Sequence, residues 1–362
     1  MTDFNAKIDT QNIKSILLWM PNWIGDAVLA LPSVSALRER YPSARITAAV
    51  REPADELLRG INLFDTIIRI PNPRKEGMLR QIRFTRKLKK YQYDISAVFP
   101  NSFRSAFLLS QTGAPIRIGY DIGIRYLFLT HPIQTNATDT RAQNRIDYFF
   151  NVLAPFGLDK PRSEGISVET LPEDPPTDEV LKSIGIEPDE FFIMVHPGAS
   201  KQERSWRHER FAILSQKLIK QYDFKIVLLG SKKEMPMLEK IKKFAPAGKI
   251  QILPELNLRG VAKALKKTGL FIGNDSGMMH LSALMNTPVL GIFGPGSAKT
   301  TGPHIAPEKK EIVSLNFPCS PCRQNFFKEC KPSAEHKPYC LDDITVKDVS
   351  DAADRILSRI RK

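Results

Sequence analysis

Apolar and polar positions along this chain alternate between two rhythms, one of period two and one of helical period. Short apolar runs at 16–20, 44–50, 65–70 and 94–100 predict strands, and helices are predicted to begin near Asp26 and near Arg104. Such alternation predicts an α/β fold in which helices cover both faces of a parallel sheet. Residues 160–190 then carry Pro161, Pro172, Pro175, Pro176 and Pro188 among several acids, the composition of a linker. Past it the rhythm restarts with strands at 191–198, 224–230, 250–253 and 270–273, and with helices at 208–221, at a basic stretch after residue 230, and at 258–267. Two domains are therefore expected, 1–175 and 176–345, followed by a capped helix from about Thr345 over residues 346–362.

The turn after the strand at 270–273 carries chemistry. The segment FIGNDSGMMHLSALMNTPVLGIFGPG, residues 271–296, reads as strand, polar turn, helix and second strand. A helix starting at Ser276 or Gly277 aims unpaired N–H groups, including that of Met278, and the positive end of its dipole at whatever sits over the turn. Phosphate suits that position. Gly277 permits close approach, Ser276 caps the helix or binds a phosphate oxygen, and His280 lies one turn further on. The competing reading is an ordinary αβ turn, with Asp275 and Ser276 as helix caps and His280 in the core. Residues 16–50 repeat the order, placing Gly25 and Asp26 at the carboxyl end of a first strand, where open α/β sheets bind ligands. Asp26 has its own competing reading, as an acid favouring a first helical turn.

Three segments, PNWIGDAVLALPSVSALRERYP, VHPGASKQERSW at 195–206 and GNDSGMMHLSALMNTPVLGIFGP at 273–295, together resemble glycosyltransferase family 9, the ADP-heptose:lipopolysaccharide heptosyltransferases. The resemblance covers nearly the whole chain. It implies a GT-B architecture, two Rossmann-like domains facing a cleft, with the acceptor held mainly by the first and the nucleotide sugar by the second, and a terminal helix, 346–362, that packs back on the first domain. It also implies metal-independent transfer of heptose with inversion at the anomeric carbon. Asp26 matches the family's proposed base. The family's basic residue two positions before the tryptophan maps onto Arg204, where many relatives carry lysine, and Lys201 is its rival. Ala199 and Ser200 match positions near the phosphates, and Leu256 matches one that packs on adenine, although an ordinary core leucine reads the same way. Glu234 follows a strand where a carboxylate can accept from ribose hydroxyls, and a plain helix glutamate is the alternative.

Composition narrows the partners. The chain has 362 residues, 42% of them hydrophobic, and a net charge of +14, which favours an anionic partner. No zinc-finger spacing, helix-turn-helix or RNA-binding signature accompanies that charge, so nucleic acid is set aside in favour of an acidic membrane surface or a phosphorylated substrate. The polar start of the chain lacks the apolar core of a secretion signal, and no apolar run approaches a membrane span. These features give the expectation of a cytoplasmic protein peripheral on the inner face of the inner membrane, reaching a lipid A-core acceptor from the surface. Residues 74–90 hold eight basic residues against one acid, a surface for anionic lipid or acceptor phosphates if it is not a plain solvated helix face. Arg104, Arg117 and Arg125, which follow first-domain strands or loops, are further acceptor candidates. No pair of aspartates lies two positions apart and no histidines have i, i+4 spacing, so no catalytic metal or other catalytic cofactor is expected. A Rossmann dehydrogenase is set aside because no G-x-G-x-x-G follows a strand. Cys319, Cys322, Cys330 and Cys340, spaced C-x2-C-x7-C-x9-C, read either as a structural zinc or iron site, with His336 as a substitute ligand, or as incidental loop thiols.

Overall fold

The computed structural model describes residues 12–134, 143–161 and 166–361. The chain divides into two compact units, 1–169 and 170–362. In the first, β1 (Ser15–Trp19), β2 (Arg45–Val50), β3 (Thr66–Arg69), β4 (Ile95–Val98), β5 (Ile116–Tyr120) and β6 (His131–Ile133) form one parallel sheet in the order β3-β2-β1-β4-β5-β6. Its helices are α1 (Ile24–Arg40), α2 (Ala54–Leu58), α3 (Pro73–Lys87), α4 (Phe103–Ser110) and α5 (Arg145–Leu153). In the second, β7 (Phe192–His196), β8 (Lys225–Leu228), β9 (Ile250–Ile252), β10 (Leu270–Asn274), β11 (Val289–Phe293) and β12 (Lys310–Ser314) repeat that order as β12-β11-β10-β7-β8-β9, again all parallel. Its helices are α6 (Thr177–Ser183), α7 (His208–Tyr222), α8 (Met235–Lys242), α9 (Leu258–Lys267), α10 (Gly277–Leu284), α11 (Ala298–Thr301), α12 (Tyr339–Asp342) and α13 (Val346–Ile360).

Both orders are those of a doubly wound sheet, in which the direction of winding reverses between two adjacent strands. The reversal falls between β1 and β4 in the first unit and between β7 and β10 in the second. Beyond the carboxyl ends of a reversing pair the two connections diverge and leave a crevice, so the sheet topology itself selects where a ligand fits. The turns carrying Asp26, Arg204 and Ser276 follow β1, β7 and β10. Central position also explains composition: β1, β7, β10 and β11 are buried along their whole length, and each reads as a continuous apolar run rather than an alternating one.

The terminal helix corrects one expectation. The sequence reading sends it back to the first domain, whereas α13 belongs to the second unit. Val349, Ala352, Ala353, Ile356 and Leu357 follow the i, i+3, i+4, i+7, i+8 pattern and enter the core formed with Ile193, Ile226, Leu290 and Ile292. A capping box between Thr345 and Asp348 starts the helix, and Arg355 and Arg359 pair with Glu311 on β12. The Pro-rich stretch is likewise less free than a linker composition suggests. Asp174, enclosed in the second unit, accepts from the Leu171 N–H at 2.9 Å, from Asn257 Nδ2 at 2.8 Å and from both forks of the buried Arg259.

Candidate functional site

In the second unit the two motifs meet through Asn274, the last residue of β10. Its side-chain amide donates to the carbonyls of Pro197 and Gly198, at 2.9 and 3.1 Å, and its oxygen accepts from the Trp206 N–H at 2.9 Å. One buried side chain thus ties the start and the end of the 197–206 loop to the turn before α10. The sequence reading passed over Asn274, because its neighbours are 68 to 77 positions away. The indole of Trp206 is buried and donates to the Ile344 carbonyl, anchoring the loop from beneath.

Arg204 lies within that loop and is fixed on the turn, not solvated. One terminal nitrogen donates to the Asp275 carboxylate at 2.9 Å and to its carbonyl at 3.0 Å, while Arg204 Nε is buried with no partner among the described residues. A guanidinium with one edge occupied and a buried donor left over has capacity for an anion. Ser276 is the N-cap of α10 but makes no side-chain capping bond, so the first N–H groups of the helix remain available. Its hydroxyl instead lies 3.3 Å from Nδ1 of His196, a buried residue at the end of β7 that the sequence reading did not single out. Burial pushes the His196 imidazole toward neutrality, and the nearby Glu234 carboxylate partly opposes this. His280 is buried in α10, held neutral by burial and then by Arg204, with a pKa of about 4. It is therefore not a second positive charge at the turn.

The other donor-side candidates divide. Glu234 serves as a helix cap, accepting from the N–H and hydroxyl of Ser231, both at 2.7 Å. Its second oxygen lies over Gly198, where an added Cβ would collide with it, so this glycine is required by the close approach. Lys201 is exposed and stands over the Phe326 ring at 5.4 Å, away from the role Arg204 fills. Ala199 is half-buried and Ser200 exposed on the same loop, and Leu256 is half-buried against Gly260 of α9.

In the first unit, Asp26 occupies the first turn of α1, just past the carboxyl end of β1, and its carboxylate lies 3.7 Å from Arg145. Arg145 opens α5 and is stacked over Tyr148 and Phe149, with its guanidinium carbon 4.3 and 4.7 Å from the ring centres. Two aromatic faces hold the cation beside the carboxylate, a partner the sequence reading missed. Trp23, the N-cap of α1, is 71% exposed next to this turn.

The three acceptor candidates have different fates. Arg125 is buried and donates to Asn101 at 3.1 Å, leaving Nε and a second terminal nitrogen unpartnered among the described residues. Burial brings its pKa down to about 10, so an anion alongside it would relieve a strained charge. Arg104 is exposed on the first turn of α4, and its charge bears on Arg51, whose pKa is lowered by burial first and by Arg104 second. Arg51 follows β2 and Arg104 follows β4, so the two flank the β1 turn at the same edge of the sheet. Arg117 is a correction. It lies near the amino end of β5, and its side chain donates to the carbonyls of Phe128 and Ala114 at 2.8 and 2.9 Å, which makes it a brace of the fold.

Cys319, Cys322 and Cys330 sit on the loop that follows β12, tied to the carboxyl edge of the second sheet by Cys322 N–H to the Pro295 carbonyl and Ser320 to the Gly294 carbonyl, and Cys340 lies on α12 at the loop's end. Burial first, and then the other three cysteines, raise the Cys340 thiol to about 12. Cys322 is raised by burial and by Cys319 and Cys330, while its sulfur accepts the Gln324 N–H at 3.2 Å. Cys340 therefore stands within electrostatic reach of the other three, and Cys322 within reach of Cys319 and Cys330. Among the described residues, no three His, Cys, Asp or Glu side chains are drawn together as tightly as metal ligation requires. His336 lies in the same loop at positive φ. No helix among the described residues is long and apolar enough to cross a membrane.

Residues 81–331 match the family described as glycosyltransferase family 9 (heptosyltransferase). The chain is 26% identical over 320 residues to lipooligosaccharide heptosyltransferase 2 of Haemophilus influenzae, covering 83% of this chain and 88% of that one. Its fold is similar to that of Escherichia coli ADP-heptose lipopolysaccharide heptosyltransferase II, with a TM-score of 0.77 at 20% identity over 97% of this chain and all of the other. A family 9 glycosyltransferase from Veillonella parvula gives a TM-score of 0.81 at 22% identity, over 96% and 97% of the two chains.

Proposed function

We propose a function from one premise: the chain belongs to glycosyltransferase family 9, the heptosyltransferases, and has their GT-B type of fold. It is a heptosyltransferase of lipopolysaccharide core assembly, most like the second heptosyltransferase, that moves heptose from ADP-heptose to the inner core. The observation that carries this reading is the turn before α10. There an uncapped helix start, a guanidinium with a buried spare donor and the Ser276 hydroxyl converge where a diphosphate fits.

In the reaction, the Asp26 carboxylate takes the proton of the acceptor hydroxyl as its oxygen bonds to the anomeric carbon. The bond from that carbon to the diphosphate oxygen breaks on the opposite face, so configuration inverts. ADP departs with the bonding pair, and Arg204 with the N–H groups of α10 offsets its charge. These groups supply the compensation that a metal ion supplies elsewhere, so transfer is metal-independent. Glu234 and Leu256 face the nucleoside, with Ala199 and Ser200 along the phosphates. Arg125, Arg104 and Arg51 meet anionic groups of a lipid A-core acceptor, which the enzyme reaches from the cytoplasmic face of the inner membrane. Incubation with ADP-heptose, competing nucleotide sugars and truncated cores, with and without magnesium, tests the reading by mass spectrometry. A heptose mass increment on the core supports it, and transfer from another donor only would replace it with the related-transferase alternative. Binding of ADP without any transfer would favour a nucleotide-binding or lipid-surface protein.

Arg204→Ala should weaken ADP binding roughly 10- to 100-fold, the scale of a charged hydrogen bond, and adenosine binding far less. Calorimetric titration with both ligands decides, since equal losses would make Arg204 a support of the fold and move the phosphate role to Lys201.

The cysteines hold a structural zinc or iron that fixes their loop and takes no part in transfer. Elemental analysis should find about one metal per chain, and Cys322→Ser should lower metal content and melting temperature together. Metal-free protein with four freely titrating thiols would leave the cysteines as incidental.

A further inference from the structure

The first unit exposes apolar side chains above a packed aromatic base. Among the described residues, twelve large hydrophobic side chains are exposed, and four of these fall on α4 and the neighbouring 3-10 segment Gly123–Phe128. Scattered exposure needs no explanation, but a cluster does. In a 3-10 turn, residues three apart share a face. Arg125 and Phe128 accordingly turn inward, and Ile124 and Leu127 turn outward, 61% and 65% exposed. Phe103 and Tyr126 extend the patch at 47% and 46%. Beneath it, Phe128 meets Phe103 and Phe107 edge to face at 5.2 and 5.3 Å, and Phe107 and Phe128 pack on the core beside Leu108 and Leu129.

Basic residues border this patch. Arg104 is exposed immediately after Phe103. The basic end of α3 and the 3-10 segment Leu88–Tyr91 after it reach the far end of α4, where Arg86 Nε donates to Gln111 at 3.3 Å and the stem of Lys89 lies against Gly113. A second copy of this chain would bring like charge against the same border, whereas an anionic lipid surface complements it. We propose that this face docks on an anionic phospholipid bilayer, with Ile124, Leu127, Phe103 and Tyr126 entering the headgroup layer and Arg86 and Lys89 meeting lipid phosphates. The aromatic pair suits the interface, where a ring can be half wet. The inference deepens the reading of a lipid-anchored acceptor and rests on it for its purpose, since docking would keep the site at the membrane surface.

Flotation of the full chain with phosphatidylethanolamine vesicles, with and without phosphatidylglycerol, tests this. Wild type should float with the anionic vesicles, less so as salt rises. The double variant Ile124→Ser, Leu127→Ser should lose roughly tenfold or more in partition, because both outward side chains lose their apolar surface. Its melting temperature and its rate on a water-soluble, deacylated acceptor should stay unchanged, and its rate on acceptor embedded in vesicles should fall. Equal flotation of wild type and variant, or wild type that ignores anionic vesicles, overturns the proposal. So does a concentration-dependent dimer that the variant abolishes, which would make the patch a self-association face. Transfer to soluble acceptor without vesicle binding sinks the docking surface and leaves the function standing, whereas vesicle binding without transfer does the reverse.

Discussion

Asp26→Asn should lower turnover by roughly 100-fold or more while the affinity for ADP stays close to wild type, because the amide keeps the shape of the carboxylate but cannot take a proton. Asp26 is suited to the task by its setting: it lies in the first turn of α1, where the helix dipole favours negative charge, and a stacked Arg145 stands 3.7 Å away. Arg145 restrains the carboxylate without burying it. Single-turnover transfer together with ADP titration separates chemistry from binding. An Asp26→Asn enzyme with wild-type turnover would remove this carboxylate from the mechanism.

The largest effect on stability is expected at the second unit's enclosed ion pair. Arg259 and Asp174 have side chains 2% and 0% exposed, so replacing Arg259 by alanine strands a carboxylate out of reach of water. The cost should be about 3–5 kcal/mol, the range for breaking a buried pair from one side. Removing both charges, as Arg259→Met with Asp174→Leu, should recover most of it. The pH dependence has a defined sign. Burial alone would raise the Asp174 carboxyl, but bonds from Arg259, the Leu171 N–H and Asn257 outweigh it and hold the pKa at about 2. A depressed carboxyl contributes stability that is complete above its unfolded pKa, roughly 4, and is lost as pH falls toward about 2. In Arg259→Ala that order reverses, because protonation now relieves an unpaired charge, and the deficit against wild type should shrink on acidification. A deficit that is constant with pH would mean that packing, not charge, sets the cost.

How far the sequence could be read depended on whether a feature was local. The strand preceding Asn274 and helix α9 fall where the apolar pattern puts them, and Thr345 begins α13 as its capping residues predict, because each signal spans only a few neighbours. The turns bearing Asp26 and Ser276 were also legible, since a strand followed by a polar turn and a helix fixes which end of the strand they occupy. Long-range partners were not. An amphipathic stripe states that α13 has an apolar face without naming the surface that receives it. Arg117 and Arg125 read alike as loop cations, yet one is consumed by carbonyls and the other is buried with donors to spare. Asn274 and His196 lie within the quoted family segments and Arg145 outside them, yet none showed its partners to a local reading. Their parts follow from contacts that only the folded sheet creates.

With α13 inside the second unit, the polypeptide passes from one unit to the other a single time, between Glu169 and Thr170. The passage is fastened on both sides, by the Glu169 N–H on the Gly60 carbonyl and by Asp174 on Arg259. A chain that had returned to its first half would need two junctions for any exchange of parts. This one needs only one, so a recombination point at that peptide would join the amino-terminal half of one family member to the carboxy-terminal half of another without cutting either core. The history of such enzymes can then be sought by comparing separate family trees for the two halves.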